Sequence, residues 1–162
     1  MSTSSESKQL AYWIDQETKA AERLLETLEQ ERSALTERAS EKLSEIANRK
    51  LACARQCEQI AARRDHFLDV LQLPKGRVGI ERLLERLQAA GDTGLQLPWR
   101  ELLAIAARCR HLNQINGGIV ELSRRHIHRA LDLLRGQERD AELYGPAGMN
   151  TGSRIGHTLA VA

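Results

Sequence analysis

The sequence predicts an all-α protein with a long antiparallel helical hairpin, a short helix, a long last helix and a flexible C-terminal tail. Residues 1–73 contain neither glycine nor proline and consist largely of strong helix formers. Apolar residues recur mostly three, four or seven positions apart, as the buried stripe of a helix requires. The three long segments are similar in length, so they can pack lengthwise as a coiled-coil-like bundle.

The hairpin is predicted over Ser5 to Leu73, with its reversal at residues 36–40. The apolar stripe changes phase there, where "TERASEK" adds nothing apolar beyond an alanine. One unbroken helix over the whole segment would be about 100 Å long at 1.5 Å per residue. We therefore expect two helices, with Thr36 or Ser40 as the N-cap of the second.

Two further helices follow, and glycine and proline mark their ends. Pro74 and Gly76 end the second helix, and Gly91 closes a short third one, "IERLLERLQAAG". Pro98 lies in the first turn of the last helix, where proline is tolerated. That helix is predicted to pack against the hairpin as far as Arg135. Its stripe is Leu102, Ile105, Cys109, Leu112, Asn116, Ile119, Ser123, His126, Ala130 and Leu134.

A polar segment, "LNQINGGIVE", interrupts the last helix with Asn113, Asn116, Gly117 and Gly118. Each interior glycine costs roughly 1 kcal/mol relative to alanine. One interpretation is a turn that splits the helix. Another is a close helix–helix contact in which the asparagines meet across the seam and fix its register. A third is a softened helix at a partner-binding surface. The stripe keeps its phase across the glycines, which favours a continuous helix.

Composition indicates a cytosolic protein that binds no nucleic acid as its main task. Charged residues make up 28% of the chain, but the net charge is only +2, whereas nucleic-acid binders usually carry a strong basic excess. The three cysteines are few and odd in number, which is typical of reduced thiols in the cytoplasm. No apolar run reaches the roughly 20 residues that span a bilayer, so we expect no stable membrane insertion.

We expect no catalytic residue, cofactor or metal site. Cys53 and Cys57 are one helical turn apart, but a structural zinc site needs four ligands and no second pair is evident. His126 and His128 point to different faces of a helix. The tail glycines lack the lysine and the following helix of a phosphate loop. The basic runs "RCRH" and "RRHIHR" fit a solvated face, or a weak contact with RNA or an acidic protein.

The chain ends in a segment that is both glycine-containing and apolar, "LYGPAGMNTGSRIGHTLAVA". We therefore predict a helical bundle over residues 1–136 and a flexible tail over residues 137–162, where glycines disfavour a stable helix. The tail is either a frayed terminus or a segment that folds onto a partner or onto the chain's own groove.

The run "HLNQINGGIVELSRRHIHRALDLLRG" followed by "LYGPAGM" resembles the C-terminal half of the FlgN family of flagellar type III export chaperones. The specific part of the resemblance covers residues 113–148, and the hairpin fits more vaguely. The family often has glycine with Asp or Asn at the first hairpin turn, which "TERASEK" lacks. The matching residues are Asn113, Asn116, Gly117, Ala130, Leu131, Leu134, Tyr144, Gly145 and Gly148.

The resemblance implies a cytoplasmic chaperone for the hook-associated proteins of the hook–filament junction, of the FlgK and FlgL type. It would keep these clients soluble and deliver them to the membrane export gate and its ATPase. It also implies that Tyr144, with Gly145 and Gly148, docks on the gate once client binding has freed it. Helical clients would lie on the last helix and the tail, with candidate contacts Ile119, Ile127, Leu131, Leu134, Ile155 and Leu159.

Two other functions compete with this one. A structural coiled-coil adaptor would bury its stripes permanently by oligomerising, whereas a chaperone needs an apolar surface that waits for a client. A helical nucleic-acid-binding protein would lose affinity steeply with salt, and the balanced charge makes it the weaker alternative.

Overall fold

The structure is a computed structural model that describes residues 3–143, with side chains described through Leu134. Every regular element in this range is a helix, which confirms the all-α prediction. Backbone contacts divide the chain into two compact units, Met1–Glu121 and Leu122–Ala162. No helix within residues 3–143 combines the length and apolarity that a membrane span requires. The helices are α1 (Thr3–Glu37), α2 (Ser40–Val70), α3 (Gly76–Ala89) and α4 (Gln96–Leu143).

The predicted hairpin is formed by α1 and α2. Side-chain bonds between the two helices run in reverse order along them, so the helices are antiparallel. Glu17 near the start of α1 binds Arg64 near the end of α2, and Glu31 near the end of α1 binds Lys50. The reversal lies at Arg38, inside the predicted range.

The predicted N-cap of α2 is wrong for both candidates. Ala39 occupies the N-cap position and makes no side-chain cap bond, and Ser40 is already the first helical residue. The Thr36 hydroxyl donates instead to the Arg32 carbonyl oxygen of its own helix, at 2.8 Å. Threonine and serine are common N-caps, but the residue at this position is Ala39, whose backbone is not in the extended conformation of a typical N-cap.

Each of the first three helices is followed, within two residues, by a residue with left-handed backbone. The φ angles are 55° at Arg38, 56° at Gln72 and 89° at Gly91. Only glycine adopts this region without the clash of a Cβ atom, so the arginine and the glutamine each cost about 1 kcal/mol. The residue after each turn donates its amide back to the helix, in the pattern of a Schellman motif: Ala39 to Ala34 O at 3.0 Å, Leu73 to Leu68 O at 2.9 Å, and Asp92 to Leu87 O at 2.9 Å.

The main core of the first unit gathers around α3. One face of this short helix is fully buried against the other three helices, and the aromatic rings of Phe67 and Trp99 close the core. Arg86 fastens α3 to the start of α1, since its guanidinium donates to the buried Glu6 carboxylate at 2.6 Å. The buried members of this core are Leu10, Ile14, Ala21, Phe67, Leu68, Ile80, Leu83, Leu84, Leu87, Trp99 and Leu102.

The connection from α2 to α3 is held by a close approach and by a charged cluster. A Cβ atom at Gly79 would lie 1.7 Å from the Pro74 carbonyl oxygen, so only glycine fits. Arg64 donates to both carboxylate oxygens of Glu17, at 2.7 and 2.8 Å, and to Asp65 at 2.8 Å. Asp65 in turn accepts the Gly76 amide at 3.0 Å.

The pKa values of two carboxyl groups in this cluster are shifted in opposite directions. Burial raises the pKa of Glu17, although the Arg64 guanidinium offsets part of the effect. Burial also acts to raise the pKa of Asp65, but the Gly76 amide and Arg64 outweigh it, so the pKa lies below its ordinary value. Asp65 is therefore ionised at neutral pH and accepts the bond that begins α3.

The last helix is continuous through Gly117 and Gly118, as the phase of its stripe predicted, with Pro98 in its first turn. It also continues past Gly136 and ends at Leu143. The predicted helix end at Arg135 and the predicted loss of helix after Gly136 are therefore wrong for residues 137–143. The boundary between a bundle and a tail at residue 136 stays a prediction.

The stripe of α4 is buried over a shorter range than predicted. In the first unit, Leu102 and Cys109 are buried, and Ile105 and Leu112 pack against buried residues. From Leu122 through Leu134 every side chain is exposed. The prediction that the stripe is covered as far as Arg135 is wrong for that segment, because periodicity shows that a face is apolar without showing what covers it.

The left-handed turns give a prediction with opposite signs at two positions. Arg38→Gly is expected to increase the free energy of unfolding by about 0.5–1 kcal/mol, since it removes the Cβ clash at φ 55°. Gly91→Ala is expected to decrease it by about 1 kcal/mol, since a Cβ there meets no atom but the backbone is strained. Urea unfolding followed by circular dichroism measures both. A destabilised Arg38→Gly variant would contradict the assignment of the hairpin turn.

Candidate functional site

A buried amide joins α4 to α1 in the first unit. Asn116 is only 1% exposed, and its Nδ2 atom donates to the Leu28 carbonyl oxygen at 2.9 Å and to Glu31 Oε2 at 2.8 Å. The other oxygen of Glu31 accepts a bond from Lys50 Nζ on α2, at 2.5 Å. One polar network therefore links three helices.

This network sits in an otherwise apolar seam. Leu25, Leu28 and Cys109 form a second buried cluster, against which Leu24, Ile105 and Leu112 pack. The Oδ1 atom of Asn116 accepts no bond from any described residue. Burying an amide and a carboxylate is unfavourable unless they are paired, so the seam tolerates only an alignment in which Asn116 meets Glu31. The predicted role of Asn116 as a determinant of register stays a prediction, with a definite partner.

The other three residues of the predicted motif are not part of this contact. Asn113 is exposed, so the asparagines do not meet across the seam. Gly117 and Gly118 are exposed too, and a Cβ atom at either would meet nothing within 4 Å among the described residues. Close packing therefore does not explain the glycines. Their remaining effect is to weaken the helix by about 1 kcal/mol each.

Asn113 instead lines an apolar groove on the first unit, bounded by α1, α2 and α4. The groove has a volume of about 490 Å³, and the Leu51 side chain, half exposed, forms part of its wall. Its lining residues are Leu24, Leu28, Ala47, Lys50, Leu51, Ala54, Cys109, Arg110 and Asn113. The groove is an apolar surface of the first unit.

The cysteines lie along or near the same seam and are free thiols. Cys109 is buried and donates to the Ala21 carbonyl oxygen at 3.4 Å, while Cys53 lies 3.7 Å from the Thr27 hydroxyl. Burial raises the pKa of the Cys57 thiol and of the Cys109 thiol, so both are protonated and weakly nucleophilic at neutral pH. Residues 3–134 contain no group of three side chains arranged to hold a metal.

The predicted client contacts fall into three groups. Ile119 belongs to the first unit and is half buried. In the second unit Ile127 is 61% exposed, Leu131 42% and Leu134 58%. The remaining predicted residues lie outside the described range: Tyr144, Gly145, Gly148, Ile155 and Leu159.

Three of the predicted contacts form one face of the helix in the second unit. At 3.6 residues per turn, Ile127, Leu131 and Leu134 project to the same side, together with Ala130. His128 and Asp132 project to the opposite side. This apolar face consists of Ile127, Ala130, Leu131 and Leu134, and all four side chains are exposed.

Comparison with known proteins decides the family. The model of the FlgN protein family matches residues 1–152, nearly the whole chain. The chain belongs to the FlgN family. The resemblance seen in "LNQINGG" and "LYGPAG" is thereby confirmed. FlgN proteins are export chaperones of flagellum assembly, and this is the general role of the chain. A search among curated proteins and a search among solved structures each give no match.

The partners of Asn116 were not among the predicted site residues. Glu31 falls at a core position of the α1 stripe, three residues after Leu28 and four before Leu35. Asn116 falls at a core position of α4 in the same way. Two polar residues, each at an apolar position of its own helix, are a signal that the two side chains meet.

The buried amide gives a matched pair of variants. Asn116→Ala is expected to decrease the free energy of unfolding by about 2–3 kcal/mol, because Glu31 and the Leu28 carbonyl oxygen lose their donor while buried. Asn113→Ala, three residues away and exposed, should change it by less than about 0.5 kcal/mol. Chemical denaturation of the purified variants measures both. Equal effects would show that the bond network does not stabilise the seam.

Proposed function

We propose that this chain is a cytoplasmic chaperone that binds hook-associated proteins of the hook–filament junction and delivers them to the flagellar export gate. Family membership supports the general role of export chaperone. The observation that carries the finer proposal is the apolar face of the second unit, where Ile127, Leu131 and Leu134 are all exposed. Contiguous exposed apolar residues on a soluble chain are typical of a binding surface.

The clients are proposed to bind as amphipathic helices laid along this face. A helix that places apolar residues on another helix at three- and four-residue spacing is a common recognition mode. Burial of one leucine contributes about 1.5–3 kcal/mol, so the apolar face can supply useful affinity with few contacts. No group of the site is assigned a catalytic role, since binding alone keeps an apolar client segment from aggregating.

Delivery is proposed to use a separate residue, Tyr144, in the family motif "LYGPAG". Tyrosine combines a large apolar ring with a hydroxyl, a combination enriched at interfaces. We assign Tyr144, with Gly145 and Gly148, to docking on the export gate, and Ile155 and Leu159 to additional client contact. Client and gate would then be bound by different residues.

The two assignments predict that client binding and gate binding can each be lost without the other. Leu131→Ser should weaken binding of purified hook-associated proteins about tenfold or more, because the leucine loses the apolar contact it makes in the complex. The same variant should keep its affinity for the cytoplasmic part of the export gate, measured with a client already bound at saturating concentration. Tyr144→Ala should do the reverse. Isothermal titration calorimetry measures all four affinities.

Leu133→Ser is the matched control. Leu133 is 71% exposed, belongs to the same helix and projects away from the apolar face, so its replacement should change client affinity less than about threefold. A Leu131→Ser variant that binds clients as tightly as the parent would contradict the proposal. If Leu51→Ser weakened binding instead, the client would lie in the groove of the first unit. Equal loss of client and gate binding in Tyr144→Ala would make Tyr144 a client contact.

The competing adaptor function uses the same face differently. A coiled-coil adaptor would cover the apolar face with a second copy of the chain. Sedimentation of the purified protein distinguishes the two: a dimer that Leu131→Ser dissociates, without any client binding, would favour the adaptor.

A further inference from the structure

A second surface on the first unit has the composition of a binding site and no role in the proposed function. The chain contains only two Trp, two Tyr and one Phe, yet Tyr12, Trp13 and Phe67 all line one groove between α1 and α2. The groove has a volume of about 620 Å³. Aromatic rings are enriched at the cores of protein interfaces, so this concentration of rings in a chain that contains so few is typical of a binding surface.

The apolar part of this groove is exposed but rigidly supported. Tyr12 is 55% exposed and Val70 is 61% exposed. The ring of Tyr12 packs edge-on against Trp13, with centroids 5.0 Å apart at 71°. Phe67 is buried in the main core and forms the base of the groove. An exposed tyrosine held by a second aromatic ring loses little entropy on binding, which is typical of residues that dominate interfaces.

The ionisable side chains of the groove other than tyrosine are basic. Lys8, Arg63 and His66 line it, and none of the described residues that line it is acidic. In the described part of the chain none of these three has an ion-pair partner. The arginine next in sequence, Arg64, differs in this respect, since Glu17 and Asp65 both bind it. The groove thus combines the unpaired positive charges of Lys8 and Arg63 with an apolar base.

We propose that this aromatic groove docks an acidic amphipathic helix of a partner protein. A helix fits the trough between two antiparallel helices, with its apolar side chains on Tyr12, Phe67 and Val70. Its flanking carboxylates then lie near Lys8 and Arg63. The concave shape disfavours a flat lipid surface, and the apolar base disfavours a nucleic-acid backbone. The site lies on the first unit and does not depend on the client contacts of the second.

The test uses synthetic amphipathic peptides as probes. One set carries leucines at three- and four-residue spacing with glutamates at the other positions, and its counterpart carries lysines in place of the glutamates. Fluorescence anisotropy with the full chain is expected to show binding of an acidic peptide, weakened by salt because exposed charges are screened. Arg63→Glu should weaken it at least about tenfold, since it places like charges opposite each other. Tyr12→Ala should also weaken it.

Two variants outside the groove serve as controls. Arg55→Glu changes the same charge on an exposed site of the same helix, and Leu97→Ala removes a similarly exposed apolar side chain. Both should leave peptide affinity within about twofold, and circular dichroism should show equal helix content in all variants. Failure of every acidic peptide to bind, equal binding of the basic peptides, or an effect of Arg55→Glu as large as that of Arg63→Glu would overturn the proposal. Tyr12-dependent binding of anionic vesicles or single-stranded RNA, without peptide binding, would overturn it too.

Discussion

Asn116 donates to Glu31 and to the Leu28 carbonyl oxygen inside an otherwise apolar seam, and we expect the register of the first unit to depend on this contact. Apolar stripes with a heptad-like repeat can slide past each other by one repeat with little loss of apolar contact. Helices joined by a buried amide and a buried carboxylate cannot slide in this way without cost, because each group loses its partner in every other register. Lys50 extends the constraint to α2. We therefore expect the network to set the alignment of the three helices.

The apolar residues of α4 differ in burial on the two sides of Asn116. Up to Asn116 the stripe is used for packing in the first unit, as the burial of Leu102 and Cys109 shows. In the second unit Ile127, Leu131 and Leu134 share one face of the helix, and all three are exposed. Gly117 and Gly118 follow the buried amide directly and weaken the helix between these two stretches. Under the proposed function, packing for stability and binding of clients would use different residues of α4.

Much of this fold was predictable from the sequence, since glycine, proline and helical spacing mark where helices begin and end. The hairpin reversal, the ends of α2 and α3, and the continuity of α4 across Gly117 all followed from such local signals. The left-handed backbone of Arg38 did not, because arginine has no preference for that conformation. The extent of burial along α4 did not follow from local signals either. Spacing identifies the face that Leu131 shares with Leu134, but only the packing of the other helices determines whether that face is covered.

The sequence pointed to individual residues of the candidate site, but it did not predict their surroundings or their partners. The family motif pointed to Asn116 and Leu131, and the structure places them in different surroundings: a buried seam and an exposed face. The partner residue Glu31 and the aromatic groove at Tyr12 were missed, since both depend on residues brought together from distant parts of the sequence. Tyr144 and the rest of the motif lie beyond the described residues, so their roles rest on the family resemblance.

Hydrogen–deuterium exchange of the full chain, with and without a purified hook-associated protein, tests the central claim most directly. The claim is that the apolar face at residues 127–134 is uncovered until a client binds. In the free chain, amides of residues 122–134 should exchange much faster than those of residues 102–116, because helical amides without tertiary packing open easily. Client binding should protect the former and leave the latter unchanged. Equal protection of the two segments in the free chain, or no gain on client binding, would contradict the account.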